Sequence, residues 1–131
     1  MSYQESNFQS DYNKWKINNY KVTCVEELKI TKSKSFRLSS IELHQLINLY
    51  NAKHNCIQHK IPDLGSQNPF DSFSICGEPA WVVVLFYKPR QPKKFYMIDI
   101  DTIQGLIDDD KKSITEEEAA LLCSKQGTLN H

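Results

Sequence analysis

Glu27 and Lys29 stand two residues apart in the run 22–45, VTCVEELKITKSKSFRLSSIELHQ. Side chains alternate faces along a strand, so on a strand both would project the same way. A carboxylate beside an ammonium at a strand end suits a metal-and-water site. The carboxylate binds a divalent cation through oxygen. The lysine orients or helps deprotonate a metal-bound water and stabilises the charge that builds on a phosphate. The chemistry expected is that of a metal-dependent nuclease. The plainer alternative is a solvent-facing charge pair that adds little to stability.

Other residues suit a phosphate substrate. Residues 29–37 hold Lys29, Lys32, Lys34 and Arg37, and the stretch 88–94 holds Lys88, Arg90, Lys93 and Lys94. Both are placed for phosphate contacts, which set affinity and salt dependence more than sequence choice. His44 suits a phosphate contact or a proton shuttle near neutral pH. His54, Cys56 and His59 match no standard metal-site spacing. With only four glycines and no Gly-rich phosphate loop, a nucleotide-cradling enzyme is disfavoured.

These residues need elements to position them. Phe8, Tyr12 and Trp15 recur at helical spacing and predict a short helix over 4–16. A strand is expected over 20–30, with Glu27 and Lys29 on the face opposite Leu28. The segment 32–37 reads as a basic connection. Ser39 or Ser40 is the expected cap of a helix over 41–53, whose apolar face would comprise Leu43, Leu46, Ile47, Leu49 and Tyr50. Residues 54–72 carry Pro62, Gly65 and Pro69 and read as an extended loop. A hairpin should join 70–76 to 81–87 through Gly77-Glu78-Pro79, and a second should join 81–87 to 95–100. The uninterrupted WVVVLFY of 81–87 has the pattern of a central strand covered on both faces. Residues 102–122 read as partly helical, with Ser113 or Thr115 as a cap, and 124–131 as a flexible tail.

At 131 residues the chain fits a single domain. Its 24% charged and 40% hydrophobic content is that of a folded rather than a disordered chain. No apolar run approaches the roughly 20 residues of a membrane span, so no membrane partner is expected. The polar start MSYQESNFQSD lacks the apolar core of a signal peptide. The scattered Cys24, Cys56, Cys76 and Cys123 form no C-x-x-C pair and suit a reducing cytoplasm. Net charge is zero, yet residues 1–98 hold 13 basic against 8 acidic side chains and 99–131 hold 3 against 8. A basic body with an acidic end can present a positive face to a phosphate backbone.

With these residues in view, the chain resembles the PD-(D/E)XK nuclease superfamily, in particular small phage and bacterial proteins related to the Holliday-junction resolvase recombination protein U. The resemblance rests on Glu27-Leu28-Lys29 as the E-x-K signature, the loop Lys32-Ser33-Lys34-Ser35, the helix with His44-Gln45, and the strand pair WVVVLFY…KFYMIDID, over roughly residues 20–103. It implies an α/β (α+β) fold, restriction-endonuclease-like, with a mixed central β-sheet flanked by helices. It also implies Mg²⁺, with Mn²⁺ as a substitute, held by an Asp and the E-x-K Glu. Phosphodiester hydrolysis on DNA, often branched DNA, and often by a homodimer, follows from it. Carried over, Glu27 is a metal ligand, Lys29 the catalytic lysine and Gln45 the supporting helix glutamine. The family's preceding Pro-Asp is displaced here. Asp71, in Pro69-Phe70-Asp71, is the favoured replacement, with Asp11 and Asp63 as alternates. The displaced aspartate also admits an inactive, nuclease-like module that binds DNA or a protein. The acidic end, as a docking segment or DNA mimic, is a third possibility.

Overall fold

A computed structural model describes residues 3–19, 24–60 and 72–129, with the backbone alone at 16–19, 56–60 and 72–76. The elements run α1 (Glu5–Asn19), β1 (Val25–Thr31), β2 (Ser35–Arg37), a 3₁₀ turn (Leu38–Ser40), α2 (Leu43–His54), β3 (Cys56–Lys60) and β4 (Ser72–Cys76). They continue with β5 (Ala80–Phe86), β6 (Lys93–Asp99), α3 (Ile100–Asp108), β7 (Ser113–Thr115), α4 (Glu116–Leu122) and β8 (Lys125–Leu129). Four strands form a mixed sheet in the order β1-β5-β6-β8, flanked by helices. The fold is therefore the expected α+β arrangement. Among the described residues, no helix is long and apolar enough to cross a membrane.

Strand β5 is the middle of this architecture. It pairs in parallel with β1, Glu27 opposite Val82 and Lys29 opposite Val84, and antiparallel with β6. Val82 through Leu85 have no exposure at all. Burial on both faces explains why this strand carries an unbroken apolar run instead of alternation. Alternation along the sheet divides the core in two. Val82, Val84, Tyr96 and Ile98 pack beneath α2, α3 and α4, with Leu49, Ala52, Ile103 and Ala119. Leu28, Val83, Leu85, Phe95 and Met97 pack against Phe8 and Tyr12 of α1. Phe95 meets Tyr12 and Trp15 edge to face, with centroids 5.3 and 5.0 Å apart. Such pairs add about 0.5–1.5 kcal/mol beyond the area they bury.

Several expectations need correction. The cap of α2 is Glu42, not Ser39 or Ser40; Glu42 and Gln45 form a reciprocal capping box. The buried face of α2 is Leu46, Leu49 and Ala52, whereas Leu43, Ile47 and Tyr50 are exposed. Strand β3 lies inside the stretch expected to be loop, and it pairs antiparallel with β4. So β4 does not form a hairpin with β5: the chain leaves the β3–β4 ribbon at Gly77, where φ is +62°, and enters the other sheet. The expected flexible tail contains β8, which pairs antiparallel with β6 along Lys125–Leu129. Of the two caps expected for α4, Ser113 and Thr115, Thr115 is the one used, and it forms a reciprocal capping box with Glu118.

Gly127 shows why a polar, glycine-containing strand can sit there. It lies opposite Phe95 in the β6–β8 register, and a Cβ on it would stand 2.5 Å from Phe95 Cζ. The Phe95 ring occupies the space over the glycine and is held on its other sides by α1. Gly127→Ala should therefore destabilise the fold by about 1–3 kcal/mol, the usual cost of overpacking. Urea denaturation followed by tryptophan fluorescence measures it; an unchanged midpoint contradicts this account of β8.

Candidate functional site

Strand alternation turns Glu27 and Lys29 toward α2, as the register with Val82 and Val84 requires. The capping box then fixes the first turn of α2 above them. Gln45 uses both ends of its amide: Oε1 accepts the Glu42 backbone N–H at 2.9 Å, and Nε2 donates to Glu27 Oε1 at 2.8 Å. Lys29 Nζ lies 3.9 Å from the same Glu27 oxygen. The Lys29 side chain is 13% exposed and that of Glu27 is 27% exposed, so the pair is half withdrawn from water at the border of the sheet. Three residues singled out in the sequence, Glu27, Lys29 and Gln45, thus meet at one point.

Electrostatics make this carboxylate uncomfortable. Burial pushes the Glu27 carboxyl above the usual carboxylate range; Lys29 and His44 pull it down, while Glu5 and Glu42 push it further up. Such a site gains from a bound cation. Mg²⁺ ordinarily takes one or two carboxylates and completes its shell with water and phosphate oxygens. Glu27 fits that requirement as one oxygen donor. No group of three His, Cys, Asp or Glu side chains able to hold an ion occurs among the described residues. Asp71 and Asp63 lie outside the described residues. Asp11 is on α1, where its Oδ2 accepts the Tyr3 hydroxyl at 2.8 Å, and it is not among the charges acting most on Glu27.

The other candidates lie elsewhere on the surface. His44 is exposed and places Nδ1 3.2 Å from Glu42 Oε2. Lys32, Lys34 and Arg37 are exposed on the β1–β2 connection and on β2. Cys24 donates to Glu26 Oε1 at 3.0 Å, on the α1 side of the sheet. The side chains of Cys56 and His59 lie outside the described residues.

A second polar cluster escapes sequence reasoning. Lys53 Nζ donates to Asp99 at 2.8 and 2.9 Å and to Asp101 Oδ2 at 2.6 Å. His54 Nε2 lies 2.7 Å from Asp101 Oδ1. Asp99 also caps α3 by accepting the Asp101 backbone N–H. The Lys53 ammonium beside Asp101 holds that carboxyl below its ordinary range, and both aspartates hold Lys53 above its own. The signal was a Lys-His pair ending one helix and an Asp-x-Asp pair starting another, far apart in the chain. Compared with family models, curated proteins and solved structures, the chain matches none.

Because the folded state raises the Glu27 pKa, ionised Glu27 costs stability as pH climbs from the unfolded value through the folded one. Glu27→Gln keeps the shape and can still accept from Gln45. Its melting temperature should exceed that of the parent at pH 7 without divalent metal. The advantage should vanish as pH falls below the ordinary carboxylate pKa. Thermal melts across that range check the sign, and a variant less stable than the parent at pH 7 contradicts it.

Proposed function

We propose that this protein is a metal-dependent DNA endonuclease that hydrolyses phosphodiester bonds, with Glu27, Lys29 and Gln45 at its centre. The observation that carries the reading is the meeting of Gln45 with Glu27, 2.8 Å apart, beside Lys29 on the same face. Glu27 would hold Mg²⁺ or Mn²⁺, with Asp71 the proposed second ligand; the bound ion would neutralise the phosphate and acidify water. Gln45 fixes which way the Glu27 carboxylate points, because its own amide is clamped by the α2 cap. Lys29, mostly withdrawn from solvent, offers its ammonium to an attacking water or to charge gathering on the phosphate oxygens, and its reach is greater for being dehydrated. Lys32, Lys34, Arg37 and His44 are exposed donors proposed to contact the DNA backbone.

One observation favours a second reading, an inactive nuclease-like module that binds a protein. Leu43, Ile47 and Tyr50, at i, i+4 and i+7 on the outer face of α2, are 72%, 49% and 43% exposed. An apolar stripe of that spacing is the pattern of a helix that docks.

Cleavage assays with supercoiled, linear and branched DNA in Mg²⁺ separate the two. Glu27→Ala and Lys29→Ala should each lower cleavage at least a hundredfold while leaving DNA binding within a few-fold of the parent. Mg²⁺ should raise the melting temperature of the parent and not of Glu27→Gln, as a ligand that binds only the folded site must. Full activity in either alanine variant, or no cleavage by the parent on any of these substrates, overturns the nuclease assignment.

A further inference from the structure

At the end of the sheet where β5 turns into β6, cations from separate parts of the chain gather around two stacked rings. Tyr3, ahead of α1, stacks on Tyr87 with centroids 5.1 Å apart and planes 9° from parallel. Lys32 Nζ stands 5.9 Å from the centre of the Tyr87 ring, and Lys93 Nζ 5.1 Å from that of Tyr3. Each ring of the stack thus has its own ammonium within cation–π range. Each ring face attracts a cation, so the stack holds two lysines in place. Beside it opens a pocket of about 720 Å³ lined by Tyr87, Lys88, Arg90, Pro92, Lys93 and Thr128, among others.

The scaffold under these cations is firm. The Tyr87 N–H donates to Thr31 O at 2.8 Å, tying the turn to the end of β1. Lys88 is braced by Glu116 at 3.0 Å, which in turn accepts the Tyr96 hydroxyl at 2.7 Å. Arg90 adopts φ of +63°, a conformation that a non-glycine residue seldom takes. Among the described residues, Lys32, Arg90 and Lys93 form no ion pair with an acid.

We propose that this end of the sheet is a phosphate-backbone dock for nucleic acid, separate from the Glu27–Lys29 pocket. It goes beyond the cleavage reading, because attraction of a backbone here needs neither metal nor a cut; the choice of DNA among polyanions rests on that reading. Three features favour a backbone over a lipid surface. The cations are spread across a pocket mouth. The rings face each other instead of pointing outward. Among the described residues, the large exposed apolar side chains are Leu43, Ile47 and Tyr50 on α2 and Leu121 on α4, and none of them lines this pocket.

The test uses the full chain, a labelled duplex oligonucleotide, EDTA and a salt series read by fluorescence anisotropy. The triple variant Lys88→Gln, Arg90→Gln, Lys93→Gln should bind at least tenfold more weakly at low salt. Its log–log salt slope should be shallower by about two to three, one counterion-release increment per lost contact. A charge-conserving triple variant, Lys88→Arg, Arg90→Lys, Lys93→Arg, should bind like the parent. Arg90→Gly suits the positive φ, so it should fold at least as well as the parent while its slope becomes shallower by about one. Equal binding by the parent, the Gln triple and Arg90→Gly overturns the dock and leaves the cleavage reading intact. Loss of binding in the Gln triple with no cleavage by the parent supports the dock and removes the nuclease. Binding of the parent to phosphatidylserine vesicles but not to the duplex also overturns the dock.

Discussion

Parallel pairing of β1 with β5 is the constraint on which the candidate site rests. Parallel neighbours cannot be joined by a tight turn; the chain must cross over the sheet and return. Here the crossover carries α2, and α2 covers the face that Glu27 and Lys29 share with Val82 and Val84. Register matters as much as direction. Glu26 and Glu27 are adjacent, and a slip of one residue would exchange them. Glu26 would then face α2, while Glu27 would replace it on the side of Cys24 and α1. The fully buried β5 forbids that slip, because it would also turn Leu28 out of the core formed with Val83 and Met97.

Five of the eight acidic side chains of residues 99–131 pair with lysines. Asp99 and Asp101 meet Lys53, Glu116 meets Lys88, Glu118 meets Lys111 at 2.7 Å, and Asp110 meets Lys112 at 2.6 Å. Exposed pairs of this kind add little to stability one by one. Their effect is on the surface potential. Lys53 and Lys88 of the basic half are neutralised in this way, Lys111 and Lys112 pair within the acidic end itself, and β8 is held as a strand against β6.

What was legible in the sequence was what short-range physics decides. Strand alternation put Glu27 and Lys29 together, helix spacing gave α1, and the unbroken apolar run marked β5. Gln45 was legible as a polar residue early in a helix, though not its double duty, which needs the cap and the strand in one frame. The errors share a cause: the competing answers differed only in long-range pairing. Five apolar residues on α2 cover too wide an arc to reveal which side is buried, and Leu46, Leu49 and Ala52 prevail because β5 and α3 lie beneath them. Gly77-Glu78-Pro79 is good turn chemistry, but it passes the chain between two sheets instead of closing a hairpin. Polar Lys125–Leu129 pairs with β6 in a register that sets Gly127 opposite Phe95, where any Cβ would clash with the ring. The Lys53–Asp99–Asp101 cluster joins residues nearly fifty positions apart, beyond any local pattern.

The two-ended grip of Gln45 sets a narrow chemical tolerance at that position. Its carbonyl end faces a backbone N–H and its amino end faces a carboxylate, so rotating the amide by half a turn would set donor against donor and acceptor against acceptor. Conversion of this amide to an acid by slow deamidation would leave the helix start satisfied, since a glutamate serves there equally well. The same event would bring two negative oxygens together at the strand. A single ageing reaction, invisible to helix content, would thus unfasten Glu27 from its only amide tether among the described residues.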